Sequence, residues 1–118
     1  MEAEYVALSM AMKELLPVRE LIIEVCESVG LSRNDLTSIH STVWEDNAGC
    51  AILANMELPR MTPRSKHYAV KYHWFRSKLK PNNIKVEKID GTFQLADIFT
   101  KALRTDKFER LRKLLMGW

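Results

Sequence analysis

The chain has 118 residues, of which 47% are hydrophobic and 28% charged, and its formal net charge is +3. A chain of this length buries roughly two-thirds of its unfolded surface, which suffices for one modest core but not for two. It has no internal repeat, no low-complexity tract and no apolar run near the roughly 18 residues of a membrane span, so a solenoid, a disordered tail and a transmembrane protein are not indicated. We expect one domain over residues 1–118, soluble and intracellular, in the cytoplasm or the nucleus.

In chain order, the first predicted element is a helix from about Glu2 to Val29. Apolar residues recur along it at helical spacing, and Gly30 is expected to end it, because glycine adopts the left-handed conformation at little cost. Pro17 lacks an N–H group, so we expect a kink or a short break there, with two helices as the alternative to one. The apolar face consists of Tyr5, Leu8, Met12, Leu15, Ile22 or Ile23, and Cys26.

A strand and two helices are predicted next. Thr42-Val43-Trp44 is short, β-branched and aromatic, which favours a strand, and a helical run follows it as far as Asn55. Thr62-Pro63 supplies an N-cap and a first-turn proline for a helix from Arg64 to Lys80. Pro81-Asn82-Asn83 is expected to stop that helix. Its apolar face consists of Tyr68, Tyr72, Phe75 and Leu79.

The last third of the chain predicts a second strand and two helices. Ile84 to Ile89 are expected to be extended, a short helix covers Leu95 to Leu103, and a final helix follows Thr105. The apolar stripe of the final helix is Phe108, Leu111, Leu115 and Trp118. Two strands joined through helices should lie parallel, so the predicted fold class is α/β. Two strands make an undersized sheet, which leaves a strand edge open to a partner.

Three acidic residues allow either a chemical or a structural role. Glu4 lies on the packed face of the first helix, where a solvated first-turn carboxylate is the alternative. Asp46 follows the first strand, where open α/β sheets bind ligands, and an N-cap for the next helix is the alternative. Asp97 is spaced to pair with Lys101 on a helix surface. None of the three is decisive when it is taken alone.

A basic segment between Leu58 and Val86 contains no acidic residue. Its cations are Arg60, Arg64, Lys66, Lys71, Arg76, Lys78, Lys80 and Lys85. Such a segment is typical of a phosphate-binding surface and equally of a solvated helix face. Cys26 and Cys50 lack metal or redox spacing and are expected to be buried free thiols. His40, His67 and His73 also lack metal-ligand spacing, so we expect them on the surface or facing nucleic acid.

Four blocks of the sequence together resemble a known family. They are Glu2-Ala3-Glu4-Tyr5-Val6-Ala7-Leu8, Glu45-Asp46-Asn47, Ser65-Lys66-His67-Tyr68-Ala69-Val70-Lys71-Tyr72-His73, and Gln94-Leu95-Ala96-Asp97-Ile98-Phe99-Thr100-Lys101-Ala102-Leu103. In this order and at these distances, they resemble the ribonuclease H domain of copia-type LTR retrotransposons, which is the C-terminal part of the Pol polyprotein. The resemblance covers nearly the whole chain, and its specificity lies in the combination of blocks.

The resemblance implies a ribonuclease H-like fold that lacks its first three strands here, with two parallel strands and several helices remaining. In that family the sheet order is 3-2-1-4-5, and two Mg²⁺ or Mn²⁺ ions support cleavage of the RNA strand of RNA–DNA hybrids. The matched motifs imply that Glu4, Asp46 and Asp97 are catalytic and metal-binding. The family's first-strand Asp has no counterpart, so the chain resembles an N-terminally truncated remnant that we expect to have little or no activity alone.

The resemblance also implies a nucleic-acid surface and a partner. The residues implied to bind nucleic acid are Asn47, Arg64, Lys66, His67, Lys71, His73, Arg76 and Lys101. The implied partner is an RNA–DNA hybrid, with no membrane involved. The open strand edge would permit self-association or pairing with an N-terminal fragment. A nucleic-acid-binding or dimerising module without catalysis is the alternative function.

Overall fold

A long N-terminal helix is followed by two short strands, each leading into further helices. The computed structural model describes residues 2–36, 39–57, 60, 63 and 70–118. The elements are α1 (Glu2–Ser28), α2 (Arg33–Leu36), β1 (Ser41–Glu45), α3 (Ala48–Asn55), α4 (Arg76–Leu79), β2 (Ile84–Lys88), α5 (Asp97–Thr100) and α6 (Thr105–Met116). The predicted order of helix, strand, helices, strand and helices is confirmed.

The two strands form a parallel pair, in which Ser41 lies opposite Ile84 and Glu45 opposite Lys88. This confirms the α/β class and the predicted strand direction, and β1 is one residue longer at each end than expected. Within the described ranges the sheet contains these two strands, so each has a second edge that no other described strand pairs with. Trp44 lies on the sheet face opposite to the packed Val43 and is 50% exposed.

Helix α1 continues through Pro17 without interruption, so the predicted break and the two-helix alternative are wrong. Proline removes one helical hydrogen bond, but tertiary contacts just beyond it hold the helix in place. The buried Arg19 guanidinium donates to the carbonyl oxygens of Ile39, at 2.9 Å, and of Asn82. These contacts tie the middle of α1 to the segments that lead into β1 and β2. Gly30 ends the helix as predicted, with a φ of +95°.

The core lies between α1, α3, α4 and one face of the sheet. It comprises Tyr5, Leu8, Met12, Cys50, Leu53, Ala54, Phe75, Leu79, Ile84 and Val86. Beyond Pro17, the apolar face of α1 is only partly buried, and Cys26 is half-buried rather than buried. Outside its core face, α1 carries exposed apolar side chains, here called the outer stripe, which consists of Met10, Val18, Leu21 and Val25.

The dimensions of the molecule agree with this uneven burial. Its radius of gyration is 16.5 Å and its shortest principal extent is 17 Å. A compact domain of this length would have a radius of gyration of about 13.5 Å. The chain is therefore flat, with its described helices packed mainly against one face of a narrow sheet. No helix in the described residues is long and apolar enough to cross a membrane.

Within its described part, the helix predicted from 64 to 80 is confirmed only over Arg76–Leu79, and it is wrong over residues 70–75. Residues 64–69, which include Tyr68, lie outside the described ranges. A 3₁₀ turn at Val70–Tyr72 and a non-helical turn precede the four-residue α4. His73 and Phe75 are both buried, at 3% and 0% exposure. Residues two apart point to nearly opposite sides of an α-helix, so burying both in one core requires another backbone conformation.

The C-terminal elements match the prediction in order but bury less than expected. Helix α5 is only four residues long, while α6 begins at Thr105 as predicted and ends at Gly117, with a φ of +80°. Of the predicted apolar stripe on α6, Leu111 is fully buried, but Phe108, Leu115 and Trp118 are between 42% and 72% exposed. The stripe packs at its centre and is open at both ends.

The Tyr5 hydroxyl provides a pH-dependent test of the core. It shares a hydrogen bond of 2.9 Å with His73 Nδ1, and burial raises the pKa of Tyr5 to about 12. The unfolded chain ionises this residue near pH 10, whereas the folded chain resists ionisation up to about pH 12. Raising the pH through this window should therefore lower the free energy of unfolding by about 3 kcal/mol.

Tyr5→Phe should remove the decrease in the free energy of unfolding between about pH 10 and pH 12, because phenylalanine has no hydroxyl to ionise. At neutral pH the variant should be about 1 kcal/mol less stable than the wild type, because the hydrogen bond to His73 is absent. Above pH 10 the difference should shrink and then reverse. Urea unfolding of both proteins across this pH range measures the effect, and two parallel stability curves would contradict it.

Candidate active site

A cleft of about 490 Å³ lies at the carboxyl end of β1. Its walls include Glu4 from α1, Asp46 from the turn after β1, and Asp97 from α5. These three acids are far apart in sequence, and the fold brings them to one cleft. The carboxyl ends of parallel strands are where open α/β sheets bind ligands.

Asp46 reaches the cleft because its neighbour caps the next helix. Asn47 has extended backbone angles, and its Oδ1 accepts a hydrogen bond of 3.0 Å from the backbone N–H of Cys50. The alternative interpretation of Asp46 as the N-cap is therefore wrong by one residue. Asp46 is left at the strand-to-helix bend, where its Oδ2 lies 3.4 Å from the Lys101 ammonium.

Asp97 is a buried carboxylate with two cationic partners. It is 5% exposed, its Oδ1 lies 2.9 Å from Lys101 Nζ, and its Oδ2 lies 3.1 Å from Lys107 Nζ. The predicted pair with Lys101 is confirmed, although it joins a buried rather than a surface carboxylate. Burial by itself raises the pKa of Asp97, but the hydrogen bonds from Lys101 and Lys107 outweigh it, so the pKa lies below its ordinary value.

Lys101 connects the two aspartates. Its ammonium lies 2.9 Å from Asp97 Oδ1 and 3.4 Å from Asp46 Oδ2, while about half of the side chain is exposed. The hydrogen bond to Asp97 raises the pKa of Lys101, so the ammonium stays charged. The resemblance implied that Lys101 binds nucleic acid, and here it pairs with carboxylates at the cleft.

The carboxylates fit a divalent cation in the chemistry of their donor atoms. Mg²⁺ and Mn²⁺ prefer oxygen ligands, and Asp46 and Asp97 already share one cation, the Lys101 ammonium. Glu4 lines the same cleft from the first turn of α1. In the part of the chain that the structure describes, no group of three or more His, Cys, Asp or Glu residues is arranged to hold one metal ion. Two of the three predicted ligands therefore form a pair, and Glu4 lies beside them.

Two residues of the site were not identified from the sequence. Glu45 is buried at the cleft wall, where its Oε1 accepts from the Asn47 N–H at 2.9 Å and its Oε2 lies 3.4 Å from Cys50 Sγ. Successive strand residues point to opposite faces, so Glu45 should lie on the same face as Val43, which faces the core. This alternation could have predicted the burial of Glu45. Burial, aided by the Glu45 carboxylate, raises the pKa of the Cys50 thiol, so this thiol is unreactive. No local sequence signal indicates the other residue, Lys107, because it lies on α6.

The basic segment divides into buried and exposed residues. The expectation that His73 lies on the surface is wrong, because its ring packs beside Tyr5 in the core. Arg76 is also buried, at 7% exposure, and donates to the carbonyl oxygens of Met56 and Arg60 at 2.6 and 2.8 Å. Neither residue is placed to contact a bulky nucleic acid.

The exposed cations of this segment remain available to a ligand. Lys71 is exposed, with its ammonium 5.1 Å from the centre of the Tyr72 ring, and Lys78, Lys80 and Lys85 are exposed as well. Three further residues implied to bind nucleic acid lie outside the described ranges: Arg64, Lys66 and His67. Arg60 is exposed too, so the exposed cations that the structure describes in this segment are Arg60 and these four lysines.

Comparison with known proteins gives an informative similarity. No protein-family model matches the chain, and no solved structure matches it. A retrovirus-related Pol polyprotein from transposon TNT 1-94 of Nicotiana tabacum is 29% identical over 114 residues. The matched region is 97% of this chain but only 8% of that protein's length. The similarity supports a relation between this chain and a segment of a retrotransposon Pol polyprotein.

Proposed function

We propose that the chain is part of a ribonuclease H-like domain of a retrotransposon Pol polyprotein, and that its cleft acids serve hydrolysis of the RNA strand of RNA–DNA hybrids. The observation that carries this proposal is the meeting of Glu4, Asp46 and Asp97 at the carboxyl end of β1. These are the three acids that the matched motifs single out. In an unrelated α/β chain, acids at these three positions would not be expected to line one cleft.

The sequence similarity supports the same proposal independently of the cleft. It runs over nearly the whole chain, and the matched tobacco protein is named as a retrovirus-related Pol polyprotein. The α/β order and the parallel pair agree with the expected family fold. The identification of the domain as ribonuclease H-like rests on the motifs and on the cleft together.

The chain's own residues have distinct tasks in this proposal. Asp46, Asp97 and Glu4 are the residues that would hold a divalent cation in the cleft, through their carboxylate oxygens. Two Mg²⁺ or Mn²⁺ ions, when bound, activate the attacking water and stabilise the leaving oxygen. Asn47 uses only its Oδ1 as the helix cap, so its amide N–H₂ group can donate to a hydroxyl or phosphate oxygen of the substrate.

The proposed site requires a further strand. The resemblance implies a fourth carboxylate on a central strand beside β1, and β1 has an edge that no other described strand pairs with. The outer stripe of α1 and the exposed Trp44 are further apolar surfaces that additional strands would cover. We propose that the domain is completed at this edge, by another segment of the same polyprotein rather than by a second copy of this chain.

Hybrid cleavage tests the proposal. This chain alone should cleave a labelled RNA–DNA hybrid with Mg²⁺ weakly or not at all, because a bridging ligand is missing. Fusion to the segment that precedes the matched region in the tobacco relative should raise cleavage by more than about 100-fold, since loss of even a residue that only orients a metal ligand costs about 10- to 100-fold. Urea unfolding would establish that the fusion is folded.

The matched control is the same fusion with Glu4→Gln, Asp46→Asn and Asp97→Asn, which preserves side-chain shape. It should lose the gained activity. A folded fusion that does not cleave, or a triple variant that cleaves as well as its parent, would contradict the assignment of these acids.

A second candidate function is phosphate binding without catalysis. The observation that favours it is a cavity of about 620 Å³ whose lining includes the exposed Lys80 and Lys85. Lys71 and Lys78 add two more exposed cations in the same segment. Binding through these groups would depend on backbone phosphates and not on base sequence.

Salt dependence tests this second function. Four phosphate contacts predict that the logarithm of the binding constant for single-stranded or hybrid nucleic acid falls with the logarithm of salt concentration, with a slope of about −3 to −4. Lys80→Gln with Lys85→Gln should reduce the steepness by about half. Fluorescence anisotropy with a labelled oligonucleotide measures both slopes, and affinity that does not change with salt would exclude binding of this kind.

A further inference from the structure

The Lys101 ammonium occupies the space between the two aspartates of the cleft. It lies within 3.4 Å of Asp46 Oδ2 and 2.9 Å of Asp97 Oδ1, and it approaches from the partly exposed side of the cleft. Asp97 itself is almost completely buried, with a side-chain exposure of 6%, so the position between the carboxylates is reached from the Asp46 side.

A metal ion and this ammonium cannot occupy the same position. A divalent cation binds carboxylate oxygens directly, at about 2.1 Å for Mg²⁺, which would draw the two aspartates closer than they stand around Lys101. Two positive ions at such separations also repel each other strongly where water is partly excluded. Lys101 has the reach to move aside, since it is half exposed on a flexible four-carbon side chain.

We infer that Lys101 is the resident counter-cation of the cleft, and that a divalent metal ion enters by displacing its ammonium from between Asp46 and Asp97. This inference rests on the proposed function, because it takes the two aspartates as metal ligands. The ammonium holds the carboxylates together in the metal-free protein and lowers their affinity for metal. Lys101 is thus a positioning residue that sets the metal concentration at which the site fills.

Lys107 provides the matched control. It carries the same charge and contacts the same carboxylate, but through the other oxygen, and its ammonium also donates to the Gly91 carbonyl at 3.0 Å. No ion pair joins it to Asp46 among the described residues. Removing Lys107 therefore removes one positive charge near Asp97 without vacating the position between the two aspartates.

Metal binding by isothermal titration calorimetry is the first test. With Mn²⁺ as the probe, Lys101→Gln should lower Kd by about tenfold relative to the wild-type chain, as expected for loss of two competing ion pairs. Lys107→Gln should change Kd by clearly less. Asp46→Asn combined with Asp97→Asn should abolish the binding, which locates the metal in this cleft.

A second test uses the wild-type chain and does not depend on the folding of a variant. Acetylation of lysines by an N-hydroxysuccinimide ester is followed by mass spectrometry with and without Mg²⁺. Displacement of the ammonium should raise the acetylation rate of Lys101 severalfold when the metal is present. Lys113, which is exposed on α6, should react at an unchanged rate.

The outcomes separate this inference from the proposed function. Equal Mn²⁺ affinities for the wild type and Lys101→Gln, or an acetylation rate of Lys101 that metal does not change, would overturn the displacement while leaving the aspartates as ligands. A Lys107→Gln effect as large as that of Lys101→Gln would reduce the role of Lys101 to general charge and overturn it too. No Mn²⁺ binding by any variant would overturn both the inference and the proposed metal site.

Discussion

The buried carboxylate of Asp97 is the interaction on which the C-terminal half of the structure depends. A buried charge that loses its partner costs about 3–5 kcal/mol, so the fold must supply cations to this position. Lys101 and Lys107 do so from the end of α5 and from α6, and Lys107 also binds the carbonyl of Gly91 in the turn after β2. Through Lys101 the same carboxylate is linked to Asp46. A single buried charge thereby joins the cleft to three parts of the chain.

At the opposite end of the sheet, Arg19 has a comparable role. Its guanidinium binds the segments that lead into both strands, while α1 continues past Pro17. Arg19 holds the middle of α1 at the end of the sheet where both strands begin. The first turn of α1 lies at the other end of the sheet, and Glu4 is therefore beside the carboxyl end of β1. The position of Glu4 in the cleft therefore follows from a contact fifteen residues away in the same helix, together with the packing of Tyr5 and Leu8 in the core.

Local patterns predict the elements whose boundaries are set by local chemistry. The strands, their parallel direction, the Gly30 terminus and the start of α6 follow from β-branched runs, a glycine and helical spacing. The errors arise where tertiary contacts override these patterns. Residues 73–75 are not α-helical because His73 and Phe75 both enter the core, and α1 continues through Pro17 because Arg19 anchors it.

The candidate site shows the same division. Its three acids were found through motifs, but the lysines that neutralise Asp97 depend on how α5 and α6 pack, and residue spacing predicts only the nearer one, Lys101. Composition also cannot predict which basic residues are buried. Arg76 donates to backbone carbonyls inside the protein, whereas Lys80 and Lys85 are exposed to solvent. Charge alone does not distinguish a phosphate ligand from a residue that holds a loop in place.

A crystal structure of the chain grown with Mn²⁺, using anomalous scattering to locate the metal, tests the central claim most directly. We expect an anomalous peak between the carboxylates of Asp46 and Asp97, with the Lys101 ammonium moved out of that position. A structure in which Lys101 still bridges the two aspartates at saturating Mn²⁺, with no peak in the cleft, would contradict it.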